Sequence, residues 1–404
     1  MCVRNWFSKP EFVEPSHPAL ELLSRNRDES LSKRTHAALS DPSKWLFLDT
    51  ETTGLSGGAG TYAFLIGIAW WDAGGLQVDQ FLMRDFAEEH SMLQELAARI
   101  AERPVLVTFN GKSFDWPLLE TRFTMTRAIP KPQLATHLDL LHPARALWKL
   151  RLGSVRLVEL EQHVLDPVKL GWHREDDVLS SAIPQHYFDY LRGGSAKPLA
   201  DVLRHNQMDL RGLAALFEKI DALLTTSDAV GYAIDGLDMF GLSRYLQKRG
   251  DSHRARSACA KAIDLGLPVE HRRQANRELA ALTKRQGNHE DAAALWHQLA
   301  GGSNSSDPHS VHACEQLAIY YESRLKNTAR AQEFTQLALS KLKLTRIASR
   351  DPFEANRTYR MEDRLQRRIV RLNKKLVAKR KNQMMPLILQ TDESLRAVHG
   401  KRPI

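Results

Sequence analysis

The sequence predicts an α/β domain built around a mixed sheet, followed by an all-α region of helical hairpins. Three observations predict it. Two apolar runs and one alternating run between residues 45 and 83 read as strands separated by turn residues. A helix-period segment and a further short apolar run follow before residue 110. From 236 to 340 the pattern is almost wholly helical, with a weak internal repeat. Three strands in a meander, a helix, a strand and then helices is an α/β order.

The elements can be justified in turn. Residues 1–40 are polar and mixed and read as an N-terminal extension, with one helix around Ala19 to Arg25. Trp45-Leu46-Phe47-Leu48 is a short apolar run ending in acids, as suits a buried strand. Thr61 to Trp71 reads as a second strand, and Leu76 to Met83 alternates as a third. Asp72-Ala73-Gly74-Gly75 joins these two as a hairpin turn. Glu88 to Glu102 sets Met92, Leu93, Leu96, Ala97 and Ile100 on one helical face, and Pro104 stops it. Val105 to Phe109 is a fourth strand, after which helical patterns dominate.

In the helical region, Leu242, Leu246, Gly250, Ala255 and Ala262 recur as Leu279, Thr283, Gly287, Ala292 and Leu299. Leu317, Tyr321, Ala331 and Ala338 form a looser third copy. Small residues where helices cross, with Gly between paired helices, follow the logic of tetratricopeptide-like hairpins. The domain order expected is an extension at 1–40, an α/β domain at 41–228, a helical-repeat domain at 229–345 and a basic helix or tail at 346–404.

Charge separates these regions. The 404-residue chain has a net charge of +9, yet residues 341–381 alone hold fifteen Lys/Arg against four Asp/Glu. Such a segment attracts phosphate backbones without sequence preference, unless it is only a solvated tail. Hydrophobic residues are 43% of the chain, enough for a sizeable core. The longest apolar run, Tyr62 to Trp71, falls well short of the roughly 20 residues of a membrane-spanning helix. The first residues lack the apolar core of a signal peptide. Cys2, Cys259 and Cys314 are too scattered for a disulfide framework or metal cluster. The expectation is a cytoplasmic protein with reduced thiols and no membrane partner.

Three segments carry chemistry. In Phe47-Leu48-Asp49-Thr50-Glu51-Thr52-Thr53-Gly54-Leu55 the acids are i and i+2 on a strand and project from one face. Two carboxylates so placed repel each other unless a cation sits between them, and Mg²⁺ and Mn²⁺ favour such oxygen ligands. Thr108-Phe109-Asn110-Gly111-Lys112-Ser113-Phe114-Asp115 follows a strand and opens a helix, adding Asp115 as a third acid. Asn110 could cap the turn or touch substrate. In His205-Asn206-Gln207-Met208-Asp209, His205 and Asp209 are i, i+4 on one helical face, pairing a proton acceptor with a carboxylate. Gly57, Gly58 and Gly60 do not fit a phosphate-cradling loop and read as a hairpin loop beside the site. Zinc spacing, a dinucleotide fingerprint and a nucleophile elbow are all missing.

These three segments resemble the Exo I, II and III motifs of the DEDD (DnaQ-like) 3′–5′ exonucleases, which have a ribonuclease-H-like fold. Ser56 to Phe64, His137 to Arg145 and Ile183 to Phe188 resemble, more narrowly, the bacterial YprB-like ribonuclease-H-like proteins, in which a helical repeat region tends to follow the nuclease domain. The resemblance implies that Asp49, Glu51, Asp115 and Asp209 bind two Mg²⁺ or Mn²⁺ ions. It also implies that His205 takes the proton of the attacking water in phosphodiester hydrolysis of DNA or RNA. Thr52, Asn110 and Lys112 are the residues expected to touch the substrate. The spacing departs from the His-containing branch: three residues separate His205 from Asp209, not four. That is the spacing of the Tyr-containing branch, with His205 where Tyr would stand. Asp139 is a spare acid, with a structural role favoured. Trp70 and Trp71 are expected to pack rather than stack a base. The alternative is a nucleic-acid-binding adaptor, catalytically weak or inactive, that uses its basic tail and a protein partner on its repeats.

Overall fold

The structure, a computed structural model, describes residues 1–8, 23, 33–54, 60–165, 171, 174, 176–225, 235–301, 307–348, 356 and 358–379. The chain divides into two compact units, Met1–Ala258 and Cys259–Ile404. Each is described by itself.

The first unit holds a six-stranded mixed sheet. Its strands are β1 (Cys2–Ser8), β2 (Trp45–Thr52), β3 (Ala63–Asp72), β4 (Gly75–Leu82), β5 (Val105–Thr108) and β6 (Thr136–Asp139). The order across the sheet is β1-β4-β3-β2-β5-β6. The β3–β4 hairpin closes with Asp72 paired to Gly75. Ala73 and Gly74, the two residues between, both lie at positive φ, 47° and 79°, the backbone that a two-residue turn on right-twisted strands requires. β2 pairs antiparallel with β3 and parallel with β5, and β5 is parallel to β6. A mixed sheet flanked by helices is therefore the observed class, with helices following it in the second unit.

Two strands escaped the sequence reading. The polar N-terminus supplies β1, which pairs with β4 from Cys2 opposite Phe81 to Ser8 opposite Gly75. The helix expected around Ala19 to Arg25 lies outside the described residues, apart from Leu23. The four-residue β6 interrupts a stretch read as helical.

The helices of this unit are α1 (Lys33–Leu39), α2 (Glu89–Glu102), α3 (Asp115–Thr126), α4 (Leu141–Leu152), the single turn α5 (Leu157–Leu160), α6 (Ile183–Leu191), α7 (Lys197–Thr225) and α8 (Gly236–Lys248). α2 buries Met92, Leu93, Leu96 and Ile100, the face its periodicity prescribes. They join a core with Leu46, Leu48, Phe64, Ile66, Leu106, Leu119, Phe123 and Tyr187. Tyr187 of α6 stacks on Phe64, ring centroids 4.1 Å apart, which anchors the Ile183–Phe188 segment to the sheet. α8 packs on α4 so closely that a Cβ on Gly241 would lie 2.4 Å from the Leu147 carbonyl oxygen. Arg151 adds an ion pair to Asp238 at 2.8 Å. α9 (Ser252–Leu265) carries the division between the units.

The second unit contains α10 (Val269–Arg285), α11 (His289–Gly301), α12 (Pro308–Ser323), α13 (Thr328–Ala348) and a helix over 358–379, called α14. Successive helices from α10 to α13 pack on one another. Gly250 and Gly287, the matched glycines of the repeat, both sit at positive φ, 90° and 89°, just past the ends of α8 and α10. Small residues line the core here: Ala280, Ala292, Ala293, Ala313, Cys314 and Ala338 are buried with Trp296. Among the described residues no helix is long and apolar enough to cross a membrane.

Candidate active site

β2 runs through the centre of the sheet and delivers its apolar half, Trp45 to Leu48, into the core. Its last residues emerge half-buried, and there stand Asp49 and Glu51. The long helix α7 packs across β2 and β3 and brings His205, Asn206 and Asp209 over this strand end. Asp115 comes from the first turn of α3. Three distant segments thus place four carboxylates together.

Their electrostatics follow from this proximity. Burial pushes the Asp49 carboxyl well above its ordinary range, and the charges of Asp209, Glu51 and Asp115 push it further. Glu51 is raised in the same way, by burial first and then by Asp209, Asp115 and Asp177. Asp115 is raised by burial, although a 2.5 Å hydrogen bond from Thr50 Oγ1 opposes the shift. An all-oxygen set of acids that destabilise one another's charge suits a hard divalent cation. Among the described residues, no group of three or more His, Cys, Asp or Glu is placed so that it could hold a metal ion as it stands. Each acid has another partner as well. The residues fit a divalent ion by donor chemistry and charge.

Those other partners are specific. Asn206 Nδ2 donates to Asp49 Oδ2 at 2.8 Å. The Asn206 amide is itself oriented by Gln80, whose Nε2 donates to Asn206 Oδ1 and to the Leu203 carbonyl, both at 2.8 Å. The Arg174 guanidinium is ion-paired to Asp209. It also reaches Glu161 at 2.6 Å and Asp177 at 2.9 Å. Burial opposes the charge of Arg174, but its hydrogen bonds and ion pairs to Glu161 and Asp209 outweigh that and raise its pKa. His205 lies with Nδ1 2.8 Å from Asp177 Oδ2. Its Nε2 faces Asp209 Oδ2 at 3.6 Å and Glu51 Oε1 at 3.9 Å.

The residues expected to meet substrate fall at the same end of the sheet or close by. Thr52 follows an irregularity in the β2–β3 register, and its hydroxyl donates to the Gly54 carbonyl. Asn110 takes a left-handed backbone, φ 67°, which Asn tolerates. Lys112 is exposed on the same loop. Asp139 shapes that loop: its carboxylate accepts the backbone N–H groups of Asn110 at 2.8 Å, Leu141 at 3.0 Å and Lys112 at 3.1 Å. Its role is structural by geometry. His137 is pushed down to about 4, chiefly by burial, and hydrogen-bonds Thr108 Oγ1 at 2.8 Å. Trp70 is buried with Arg103 over its ring at 4.6 Å, and Trp71 packs edge-on against Phe47. Gly57 and Gly58 lie outside the described residues.

Sequence reasoning missed Arg174, Asp177 and Glu161 and left Asn206 without a role. The run Arg174-Glu175-Asp176-Asp177 is the visible trace of the first two, but a charge run alone reads as solvated surface.

Comparison with known proteins agrees with this architecture. Residues 46–221, which span β2 to most of α7, match a family model of the RNase_H superfamily. The fold and the acid cluster thus define a ribonuclease-H-superfamily domain, a class that points to nuclease activity on nucleic acid. The chain is also 30% identical over 322 residues to YprB of Bacillus subtilis (strain 168), described as an uncharacterized protein. The alignment covers 79% of this chain and 75% of that relative. The chain belongs to the YprB family.

Proposed function

We propose that this chain is a divalent-metal-dependent 3′–5′ exonuclease of the DEDD type, acting on DNA or RNA. The observation that carries the reading is the convergence of Asp49, Glu51, Asp115 and Asp209, from one strand and two helices remote in sequence, with His205 Nε2 facing Asp209 and Glu51. The residues that would hold two Mg²⁺ or Mn²⁺ ions are these four acids. When bound, such ions acidify an attacking water and neutralise charge on the leaving oxygen. His205 Nε2, directed at the acids, is the group to accept the water's proton. Lys112 and Asn110, on the loop braced by Asp139, and Thr52 at the strand end are the groups to hold the terminal nucleotide. Arg174 supplies positive charge to Asp209.

The helical region from 229 to 345 is read as a tetratricopeptide-like array able to take a protein partner, its support being the matched positive-φ glycines and small-residue core. The adaptor reading needs free positive charge on the basic segment. Several of those cations are engaged within the unit: Arg364 with Glu315, and Arg368, Arg371 and Lys375 with Glu322.

Digestion of 5′-labelled single- and double-stranded DNA and RNA tests the mode, with Mn²⁺ or chelator and with free or blocked 3′ ends. A metal-dependent ladder that shortens from the 3′ end and disappears with blocked ends supports the exonuclease. Internal cuts that persist with blocked ends would show an endonuclease.

A further inference from the structure

We propose that Asp177 is the positioning residue for His205, fixing the imidazole through Nδ1 so that Nε2 turns its lone pair on the acid cluster. Both Asp177 carboxylate oxygens lie within reach of Nδ1, Oδ1 at 2.9 Å and Oδ2 at 2.8 Å. An ionised carboxylate only accepts, so Nδ1 carries the proton. In the neutral ring Nε2 is then the acceptor, and it is this atom that faces Asp209 and Glu51.

Asp177 is in turn held from several sides. Val178 N–H donates to its Oδ1 at 2.9 Å, and Arg174 Nη1 to its Oδ2 at 2.9 Å. Arg204, adjacent to His205 on α7, donates to the Asp176 carbonyl at 3.0 Å and ties the Asp177 backbone to the same helix turn. The aspartate side chain is half-buried and His205 is buried, so water is a weak competitor for either partner. A lone His one turn from an acid would rotate between several hydrogen bonds, whereas a ring clamped at Nδ1 keeps one tautomer and one face. The task given to His205 rests on the exonuclease reading. The tautomer does not depend on turnover.

The test uses long-range ¹H–¹⁵N correlation spectra of the full-length, metal-free, ¹⁵N-labelled protein at a pH that keeps imidazole neutral. Among the 16 histidines the His205 signals are identified by their loss in His205→Gln. The native protein is expected to show His205 with the proton on Nδ1. Asp177→Asn, which keeps the side-chain shape, and Asp177→Ala are both expected to shift His205 toward the Nε2–H form. In metal-dependent hydrolysis Asp177→Asn is expected to lower kcat by about 10- to 100-fold with KM unchanged, the scale seen for carboxylates that orient histidines. Combined with His205→Gln it is expected to add no further loss. A native His205 protonated on Nε2, or an Nδ1–H signature unchanged in Asp177→Asn, would overturn the proposal. If Asp177→Ala does not fold, the native spectrum and Asp177→Asn still decide. A native protein that cleaves nothing yet shows the expected tautomer shift would refute the nuclease reading and leave the Asp177–His205 pairing standing.

Discussion

Gly67 of β3 lies beneath Asn206 of α7: a Cβ built on Gly67 would stand 2.1 Å from Asn206 Oδ1. Gly67 is also the residue paired across the sheet with Asp49. Glycine in a strand interior is otherwise unfavourable, and here it lets the helix approach until its amide reaches the strand acid. Gly67→Ala is therefore expected to cost about 1–3 kcal/mol, as overpacking does. It is also expected to abolish cleavage beyond what the stability loss explains, because Asn206 leaves Asp49. Thermal unfolding and cleavage rate, measured on the same sample, check both halves.

Arg174 is a buried hub joining Glu161, Asp177 and Asp209, with its side chain only 7% exposed and that of Glu161 only 2%. Removing the cation strands buried carboxylates. Arg174→Ala is expected to destabilise the fold by about 3–5 kcal/mol. Arg174→Lys recovers only part of this, since an ammonium lacks the planar fork that serves several carboxylates at once. Denaturant melts of the two variants give the comparison.

Asp49 and Glu51 are raised above the ordinary carboxylate range by burial and by neighbouring acids. An acid whose pKa is higher folded than unfolded binds more protons when folded. Its cost to stability is absent below the unfolded value of about 4, and it grows as pH rises through the folded value. The contribution of these two acids to the stability of the metal-free protein is therefore less favourable at neutral than at mildly acidic pH. Asp49→Asn relieves the repulsion and is expected to raise the neutral-pH Tm of the metal-free protein by about 2–4 °C, equivalent to roughly 1 kcal/mol for a unit of this size. Calorimetry across pH should show that gain shrinking on acidification. A lower Tm in the variant at neutral pH would contradict the clustering.

Asp139 carries three backbone N–H groups of the loop that holds Asn110 and Lys112. Asp139→Ala is expected to cost about 1–3 kcal/mol for each buried donor left unpaired. Asp139→Asn keeps one carbonyl acceptor and should fall between the variant and the native protein. Urea melts check the order. Equal stability of all three would return Asp139 to the list of catalytic candidates.

Much of the site was legible because it sits where local patterns are strongest. The apolar run before Asp49 fixed β2, alternation put Asp49 and Glu51 on one face, and helical spacing paired His205 with Asp209. What stayed hidden depends on long-range pairing. β1 has no buried residue and reads as polar chain until β4 lends it hydrogen bonds. β6 is four residues long, with Leu138 its one aliphatic, and is a strand only because β5 lies beside it. Arg174 meets Asp209 across 35 residues and Asp177 meets His205 across 28, through a segment with no period to read. The Gln80–Asn206–Asp49 chain likewise joins residues more than 100 apart.

The most direct measurement compares the native chain with Asp49→Asn, shown folded by calorimetry, in hydrolysis of labelled single-stranded DNA and RNA with Mn²⁺ and then with chelator. The expected result is phosphodiester cleavage by the native chain with Mn²⁺, its loss with chelator and its loss in the variant. Cleavage that survives in folded Asp49→Asn, or no cleavage of any substrate by the native chain with metal present, would contradict the assignment of the acid cluster as a hydrolytic metal site.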